Sequence, residues 1–290
     1  MPRTLQPGQR CEVWVGSALT GSRELIYSTD SLLLEAPNWT TDGSALILNG
    51  AGVLWRLQLA GRSLAAIRVT GVPALNNDHV IAPGGGCLYL SAEDGHLYRA
   101  GIGGGDAERV TAEDGFAHYL HGISPDGARL AAVAIEAGDF SRPGRLVTMP
   151  ADGGPVTAVD TGPGHCDGPE YSPDGAWIYL NTEAFTDRPG HAQLARVRPD
   201  GSRLECLLRS ASVDWFPHLS PDGRFASYLR FPTGTVGHPE NLDVEVVVVA
   251  LEDWTTPLHS WAVFGGQGTL NVNSWAPDSD HFAFVTYPPG

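Results

Sequence analysis

The sequence predicts an all-β chain folded as a six-bladed β-propeller, with four antiparallel strands in each blade. Three observations support this prediction. A Ser-Pro-Asp-Gly phrase recurs along the 290 residues, short β-type runs flank the copies, and 36 glycines and 22 prolines suit a turn-dense chain without helices. A two-layer β-sandwich is the alternative, and the regular recurrence of the phrase argues against it.

The phrase marks the repeat unit. It is intact at Ser124–Gly127, Ser172–Gly175 and Ser220–Gly223, and it recurs with substitutions at Thr40–Gly43, Ala82–Gly85 and Ala276–Ser279. The third residues of successive copies are 42 to 56 positions apart, a period typical of propellers, solenoids and arrays. Because Pro presets φ, Asp bonds its own backbone and Gly accepts a positive φ, the phrase predicts a hairpin turn.

A second hairpin follows the first in most repeats, so each repeat supplies four strands. In the fourth repeat, Gln193–Arg198 and Arg203–Arg209 flank a Pro-Asp-Gly turn in this way. We therefore expect residues 1–290 to form a single propeller domain. Its blades are predicted at residues 31–72, 73–113, 114–161, 162–211, 212–262 and 263–290.

The two ends of the chain predict how the ring closes. The last repeat has only one hairpin, Leu270–Trp275 and His281–Tyr287, whereas Cys11–Gly16 and Arg23–Ser28 precede the first copy of the phrase. We expect residues 10–30 to complete the last blade as its outer hairpin. Such closure removes the open seam that the first and last blades would otherwise leave.

Charge and hydropathy limit the classes of partner. The chain has 33 acidic and 18 basic residues, a net charge of −15, which argues against nucleic acid or an anionic membrane as partner. The first 20 residues lack the apolar centre of a secretory signal, and no stretch approaches the roughly 18 apolar residues of a membrane span. We expect a cytoplasmic protein without a nucleotide cofactor, and the oligomeric state stays open.

The repeated phrase, followed by alternating apolar residues, resembles the propeller repeat of the TolB-like proteins. The resemblance extends from about Cys11 to Tyr287, and the same type of repeat occurs in oligogalacturonate lyases. It implies the propeller fold and says little about function. The namesake of the family has an additional N-terminal α/β domain and an export signal. We expect neither of these in this chain.

The predicted topology gathers polar residues on one face. The segments just before the innermost strands are predicted on the face opposite the Ser-Pro-Asp-Gly turns. The loops between the second and third strands are predicted on that same face. Arg188 and Arg230 are expected there from two long loops, as possible partners of a carboxylate. Together with these arginines, the residues predicted to bind a ligand are Asn38, Asn77, Asp78, His118, Asp214, Trp215, Asn271 and Asn273.

Four further residues predict a metal site on the propeller axis. His79 and His121 share one offset from the phrase, and Glu170 and His218 share another. Imidazole and carboxylate groups together suit a divalent metal such as Mn, Zn, Fe or Ca. Oligogalacturonate lyase propellers, which this chain resembles in repeat type, hold a metal with axial histidines and a glutamine. No matching glutamine is placed here, since Gln193 and Gln267 lie outside the segments before the innermost strands, so the resemblance implies an axial polar site but not the lyase reaction. The structural alternative is that each histidine satisfies buried backbone groups.

Two functions fit this pattern. In the first, the face binds a sugar-like or polyhydroxylated acid, with Trp215 as a stacking surface, and a metal-dependent lyase, hydrolase or isomerase reaction follows. His165 and Asp167 are then the predicted catalytic pair for proton transfer. In the second, a non-catalytic module of TolB type binds a small molecule or a peptide from a partner in the same funnel.

Overall fold

Six β-sheets form the blades of the propeller. The structure, a computed structural model, describes residues 3–136, 139 and 141–290. These residues contain no helix, and hence none long and apolar enough to cross a membrane. The all-β, six-bladed fold predicted from the sequence is therefore confirmed.

Twenty-four strands are present in the described residues. Those of the first half are β1 (Cys11–Ser17), β2 (Arg23–Thr29), β3 (Glu35–Trp39), β4 (Ala45–Gly50), β5 (Val53–Gln58), β6 (Ser63–Ile67), β7 (Val69–Thr70), β8 (Leu75–Ile81), β9 (Cys87–Ala92), β10 (Leu97–Gly101), β11 (Gly104–Arg109) and β12 (Phe116–Ile123). Those of the second half are β13 (Arg129–Glu136), β14 (Arg145–Pro150), β15 (Thr157–Ala158), β16 (Cys166–Tyr171), β17 (Ile178–Thr182), β18 (Gln193–Val197), β19 (Glu205–Cys206), β20 (Val213–Leu219), β21 (Phe225–Phe231), β22 (Glu240–Ala250), β23 (Asp253–Gly266) and β24 (His281–Thr286).

Most blades follow the chain from the axis outward. Strands β3–β6, β12–β15, β16–β19 and β20–β23 form the first, third, fourth and fifth blades, each as an antiparallel sheet in sequence order. The second blade contains β8–β11 and gains β7, which pairs in parallel with β11 at its outer edge. The fifth blade has the longest outer hairpin, because β22 and β23 span 11 and 14 residues.

The last blade is closed by the N-terminal hairpin, as predicted. Strand β1 pairs with β24 from Glu12↔Thr286 to Ser17↔His281, and β2 lies outside β1. The predicted innermost strand, Leu270–Trp275, is however not a regular strand and makes one isolated bridge, Trp275↔Phe282. Its carbonyl groups at residues 270 and 271 instead accept hydrogen bonds from histidines of other blades.

The Ser-Pro-Asp-Gly phrase forms the predicted hairpin turn. In the third blade, Ser124 Oγ donates to Asp126 Oδ1 at 2.5 Å and accepts the Arg129 amide at 2.9 Å. The amide of Gly127, whose φ is 72°, donates to the Ser124 carbonyl at 2.8 Å. Serine thus satisfies the backbone on both sides of a turn that glycine closes.

Apolar side chains fill the spaces between neighbouring blades. Between the fifth and last blades, Trp215 and Phe231 share one buried cluster with Phe282 and Phe284. Similar clusters occupy the other interfaces. Each sheet therefore buries both faces against its neighbours, and the polar residues are left to the axis and the rims.

Candidate functional site

A cavity of about 930 Å³ opens on the axis, on the face opposite the Ser-Pro-Asp-Gly turns. Its size lies within the range of small-molecule sites. Residues of the second to the last blade line it. Inner strands and loops of these blades thus meet at the axis, as the sequence predicts. The predicted site residues that line it are Asn77, Asp78, His121, His165, Asp167, Trp215 and Asn271.

His121 and Asp167 form a buried ion pair in the cavity wall. Nε2 of His121 lies 3.0 Å from Oδ1 of Asp167, and Nδ1 donates to the Asn271 carbonyl at 3.1 Å. Because both ring nitrogens face oxygen acceptors, both carry a proton and the ring is an imidazolium. Burial opposes this charge, but Asp78 and Asp167 outweigh burial and raise the pKa of His121 to about 9.

Asp167 is surrounded by three imidazole rings. Its Oδ2 lies 3.6 Å from Nε2 of His165 and 3.7 Å from Nε2 of His238, in addition to the contact with His121. Burial raises the pKa of the Asp167 carboxyl, yet the three histidines hold it well below its usual range. Asp167 is therefore a permanent anion that orients the rings around it.

His165 is fixed in one tautomer. The Gly144 amide donates to Nδ1 of His165 at 2.8 Å, so that nitrogen keeps its lone pair and Nε2 bears the proton toward Asp167. A Cβ at residue 144 would come within 2.9 Å of this ring, so only glycine permits the close approach of the backbone. The predicted pair of His165 and Asp167 is thus brought together beside the cavity.

Asp78 lines the cavity from the second blade and is nearly buried, with 6 % exposure. Its Oδ2 accepts from Asn76 Nδ2 at 3.2 Å, while Oδ1 has no hydrogen-bond partner among the described residues. Burial and the Asp167 charge raise the pKa of Asp78, although His121 works against them. A buried carboxyl oxygen without a partner is costly, so a ligand that reaches the Asp78 carboxyl from the cavity would relieve this cost.

A β-bulge shapes the inner strands of the first, fourth and fifth blades. Ala36, Gly168 and Phe216 have φ of 51°, 60° and 57°, and each precedes a proline at a register shift. The left-handed backbone costs roughly 1–3 kcal/mol for a residue other than glycine. The bulge turns the strand at the axis, which places Phe216 in the cavity wall and Asp167 beside His121.

Comparison with known proteins assigns the fold to a family. No family model matches the chain. It is 37 % identical over 285 residues to an uncharacterized protein of Agrobacterium fabrum, covering 97 % of this chain and 93 % of the relative. A solved structure described as "putative TolB" from Agrobacterium tumefaciens aligns with a TM-score of 0.88 and 36 % identity, covering 97 % of this chain and 99 % of that one.

The chain belongs to the TolB-like β-propeller family.

More distant structures share the fold of this TolB-like propeller alone. TolB from Acinetobacter baumannii aligns with a TM-score of 0.64 at 16 % identity, covering 92 % of this chain and 66 % of that one. An oligogalacturonate lyase in complex with manganese aligns with a TM-score of 0.57 at 15 % identity, covering 94 % of this chain and 76 % of that one.

The four residues predicted to hold a metal do not form a cluster in the TolB-like propeller. Of the four, His121 alone lines the cavity, and both its nitrogens are occupied. His218 lies 2.6 Å from Glu170 through Nδ1 and 3.1 Å from the Leu270 carbonyl through Nε2, so neither nitrogen offers a lone pair to a metal. His79 Nε2 lies 3.4 Å from the Ile47 carbonyl, and burial lowers the pKa of His79 to about 4.

These contacts do not fit a divalent metal. Within the described ranges, no group of three or more His, Cys, Asp or Glu side chains is arranged to hold an ion. Glu170 instead accepts the Leu219 amide at 2.9 Å and Asn273 Nδ2 at 2.6 Å. Glu170 and His218 thus join the fourth, fifth and last blades. This is the structural role that was the alternative to metal binding.

Several predicted binding residues lie outside the cavity lining. Asn38 donates to the Asn273 carbonyl at 2.6 Å, and His118 Nε2 lies 3.3 Å from Asp114. Arg230 is held by Glu245 at 3.0 Å and lies 3.7 Å from Asp214. Arg188 lines a separate outer groove with Asp187 and Arg209. For His118 and Asp214 the reason is strand alternation, since their neighbours Tyr119 and Trp215 line the cavity.

Trp215 lines the cavity but offers little surface for stacking. It is 1 % exposed, because His238 and His165 lie over it with ring centroids 4.5 and 5.9 Å away. Trp215 packs against the rings of His165 and His238 and thereby supports them in the cavity wall. The predicted use of Trp215 as a stacking face for a sugar therefore does not fit its burial.

The lining also contains polar and aromatic residues that the predicted site lacked, among them Tyr119, Phe216, His238 and Gln267. Nδ1 of His238 donates to Gln267 Oε1, which also accepts from Asn271 Nδ2 at 3.2 Å. Phe216 had a usable signal, since it precedes Pro217 at the offset where Ala36 and Gly168 also precede proline. His238 lies in the loop between β21 and β22, and Gln267 directly follows β23, positions for which the phrase gives no register.

Proposed function

We propose that this TolB-like propeller binds a small, polar, sugar-like molecule in its axial cavity. The observation that carries the proposal is the ion pair of His121 and Asp167, with Asp78 beside it, in the wall of a cavity of about 930 Å³. Fixed charges and an unpartnered carboxyl oxygen are rarely buried next to open space without a ligand to meet them.

The accessible part of the lining suits hydroxyl groups. Asn76, Tyr119, His165, His238 and Gln267 are all half-buried there, and they offer amide, phenol and imidazole groups. Carboxylates accept hydrogen bonds from hydroxyls, whereas amides both donate and accept. A polyol can therefore be bound at several points by these groups, around the charged pair of His121 and Asp167.

The proposal does not extend to an acid or to metal-dependent chemistry. Arg188 and Arg230, expected to bind a carboxylate, lie outside the cavity lining, and the predicted metal residues hold one another and the backbone. What the cavity residues can do is hold and exchange protons, since Asp78 has a raised pKa beside the anionic Asp167.

Ligand titrations test this proposal. Isothermal calorimetry or ligand-observed NMR with a panel of neutral monosaccharides and polyols is to be run on the wild type, on Asp78→Asn and on Asp30→Asn. Asp30 is an exposed residue after β2 and serves as the matched control. We expect a sugar to bind the wild type and Asp30→Asn, and to bind Asp78→Asn more weakly. Binding that is equal in all three proteins would contradict a site at Asp78.

A second candidate is the non-catalytic module that takes up a peptide. The rim supports it, because Val236, which is 75 % exposed, and the exposed Pro189 both line the cavity and together offer apolar surface to a partner. Pull-down from the native host with wild type and Val236→Asp distinguishes the two functions. A partner protein captured by the wild type and lost with Val236→Asp would favour the module.

A further inference from the structure

We infer that the ligand of the axial cavity carries a positive charge, as an amino sugar or another organic ammonium with hydroxyl groups, and that its ammonium binds at Asp78. This inference rests on the proposed function and specifies the class of ligand. It stands on the charges of the lining, on the unpartnered oxygen of Asp78 and on the positions of the basic residues.

Acidic side chains outnumber basic ones around the cavity. Asp78, Asp167, Glu93 and Glu183 line it, against Arg142 and the imidazolium of His121, with His165 and His238 as further imidazoles. The carboxyl groups of the lining thus outnumber the arginine and the charged histidine by four to two. The cavity attracts cations and repels acids, and its low-dielectric walls strengthen this preference.

The arginine of the lining lies at the rim. The side chain of Arg142 is 62 % exposed, and it lies 3.2 Å from Asp139 and 3.8 Å from Glu136. It is thus directed to carboxylates that do not line the cavity. Inside, the cation is His121, whose two nitrogens are already used by Asp167 and the Asn271 carbonyl.

Asp78 marks the position for the ammonium. The carboxyl is nearly buried, lines the cavity and leaves Oδ1 without a hydrogen-bond partner in the described part of the chain. A neutral hydroxyl would satisfy one hydrogen bond of this atom. An ammonium would satisfy that bond and also neutralise the buried charge, which makes it the stronger partner.

The phenol of Tyr119 lies in the same negative field. It lines the cavity, and burial together with Asp78, Glu93 and Asp167 raises its pKa to about 12. Three carboxylates thus act on this one group. The field belongs to the cavity and not to a single acidic residue.

No lysine of this chain can supply the missing cation, since all 18 basic residues are arginines. Many of them lie at the outer parts of the blades. Arg196 and Arg198, for example, lie over the ring of Trp177 at 4.2 and 4.0 Å. Among the described residues no arginine forms an ion pair with Asp78, so this carboxyl group is left for a cation from solution.

A matched series of ring compounds tests the inference. D-glucosamine, D-glucose, D-glucuronate and cyclohexylamine are to be titrated at pH 6.5 into the wild type, Asp78→Asn, Glu183→Gln and the control Asp30→Asn. We expect glucosamine to bind at least about tenfold more tightly than glucose, because a charge-assisted hydrogen bond replaces a neutral one. Glucuronate should bind most weakly, and added salt should reduce the preference for glucosamine.

The variants locate the charge effect. Asp78→Asn should bind glucose and glucosamine alike, Glu183→Gln should lose part of the preference, and Asp30→Asn should keep it. Glu183 is only half-buried, so its variant tests the charge effect even where Asp78→Asn fails to fold.

Each outcome is decisive. Equal binding of glucose and glucosamine, or tighter binding of glucuronate, would overturn the cationic ligand and leave the sugar site standing. Binding of cyclohexylamine without any sugar would support the cationic ligand and overturn the sugar-like one. The absence of binding by all four compounds would overturn both.

Discussion

Nε2 of His121 lies 3.0 Å from Oδ1 of Asp167, and this contact joins the third and fourth blades at the wall of the axial cavity. The same imidazole donates from Nδ1 to the Asn271 carbonyl of the last blade. One charged side chain thus connects three blades across the axis. The ion pair therefore serves the ring and the cavity together, which gives it consequences for both stability and binding.

The stability of the fold should depend on pH through His121. Its pKa is about 9 in the folded chain against 6.5 in the unfolded chain, so its contribution is fully present below pH 6.5 and is lost as the pH rises to 9. The loss amounts to at most about 3 kcal/mol. Chemical denaturation at both pH values should show this decrease in the wild type and a much smaller one in His121→Gln. The same decrease in both proteins would contradict the assignment.

Removal of the anion should lower the pKa of His121. In Asp167→Asn the ring keeps the Asn271 carbonyl and the nearby Asp78, but it loses its direct partner. We expect the pKa of His121 to fall by at least one unit, as followed by NMR titration of the ring carbons. Asp174→Asn, in a turn on the opposite face, is the control and should leave that pKa unchanged. An unchanged pKa in Asp167→Asn would show that Asp78 alone sets the charge.

Glu170 and His218 should matter for stability and not for binding. Their contact at 2.6 Å is buried, and Glu170 also holds the Leu219 amide. Replacing Glu170 by Gln or His218 by Ala leaves buried polar groups without their hydrogen-bond partners. We expect the free energy of unfolding to fall by roughly 3–5 kcal/mol. Urea denaturation measures this loss, and ligand titration of the folded variant should give the wild-type affinity. A full loss of affinity in a folded variant would contradict this prediction and show that these residues belong to the binding site.

Phe216 offers a test of backbone strain. Because its φ is 57°, the usual preference for alanine over glycine in a strand should be reversed at this position. We expect Phe216→Gly to be more stable than Phe216→Ala by about 1 kcal/mol, since both lose the same ring and only alanine bears a Cβ. The neighbouring Trp215, which has no positive φ, is the matched control, and there alanine should be the more stable replacement.

Local turn chemistry made the fold predictable from sequence. The Ser-Pro-Asp-Gly phrase carries its own hydrogen bonds, as those of Ser124 show, and it therefore marks each blade without help from the rest of the chain. The closure by β1 and β24 followed from counting hairpins. The irregular segment Leu270–Trp275 could not be foreseen, because imidazoles from two other blades bind its carbonyls.

The register from the phrase gave the face of the site but not the direction of each side chain. Asp78, His121 and Asp167 line the cavity, whereas His79 and His218 point into blade interfaces. Register shifts at different places in the inner strands decide this, since one added residue reverses the faces of a strand. In the second blade the shift lies between Leu75 and His79, whereas in the third blade it lies between Leu120 and Gly122, at His121 itself. Equal offsets in sequence therefore did not become equal positions around the axis.

Binding of an ammonium sugar at Asp78 in the axial cavity can be observed in a crystal structure of the wild type soaked with D-glucosamine. We expect density for the sugar in the cavity, with its amino group within about 3 Å of the Asp78 carboxyl. Sugar bound in the outer groove of Arg188 and Arg209, or a cavity that holds water alone at saturating sugar, would contradict it.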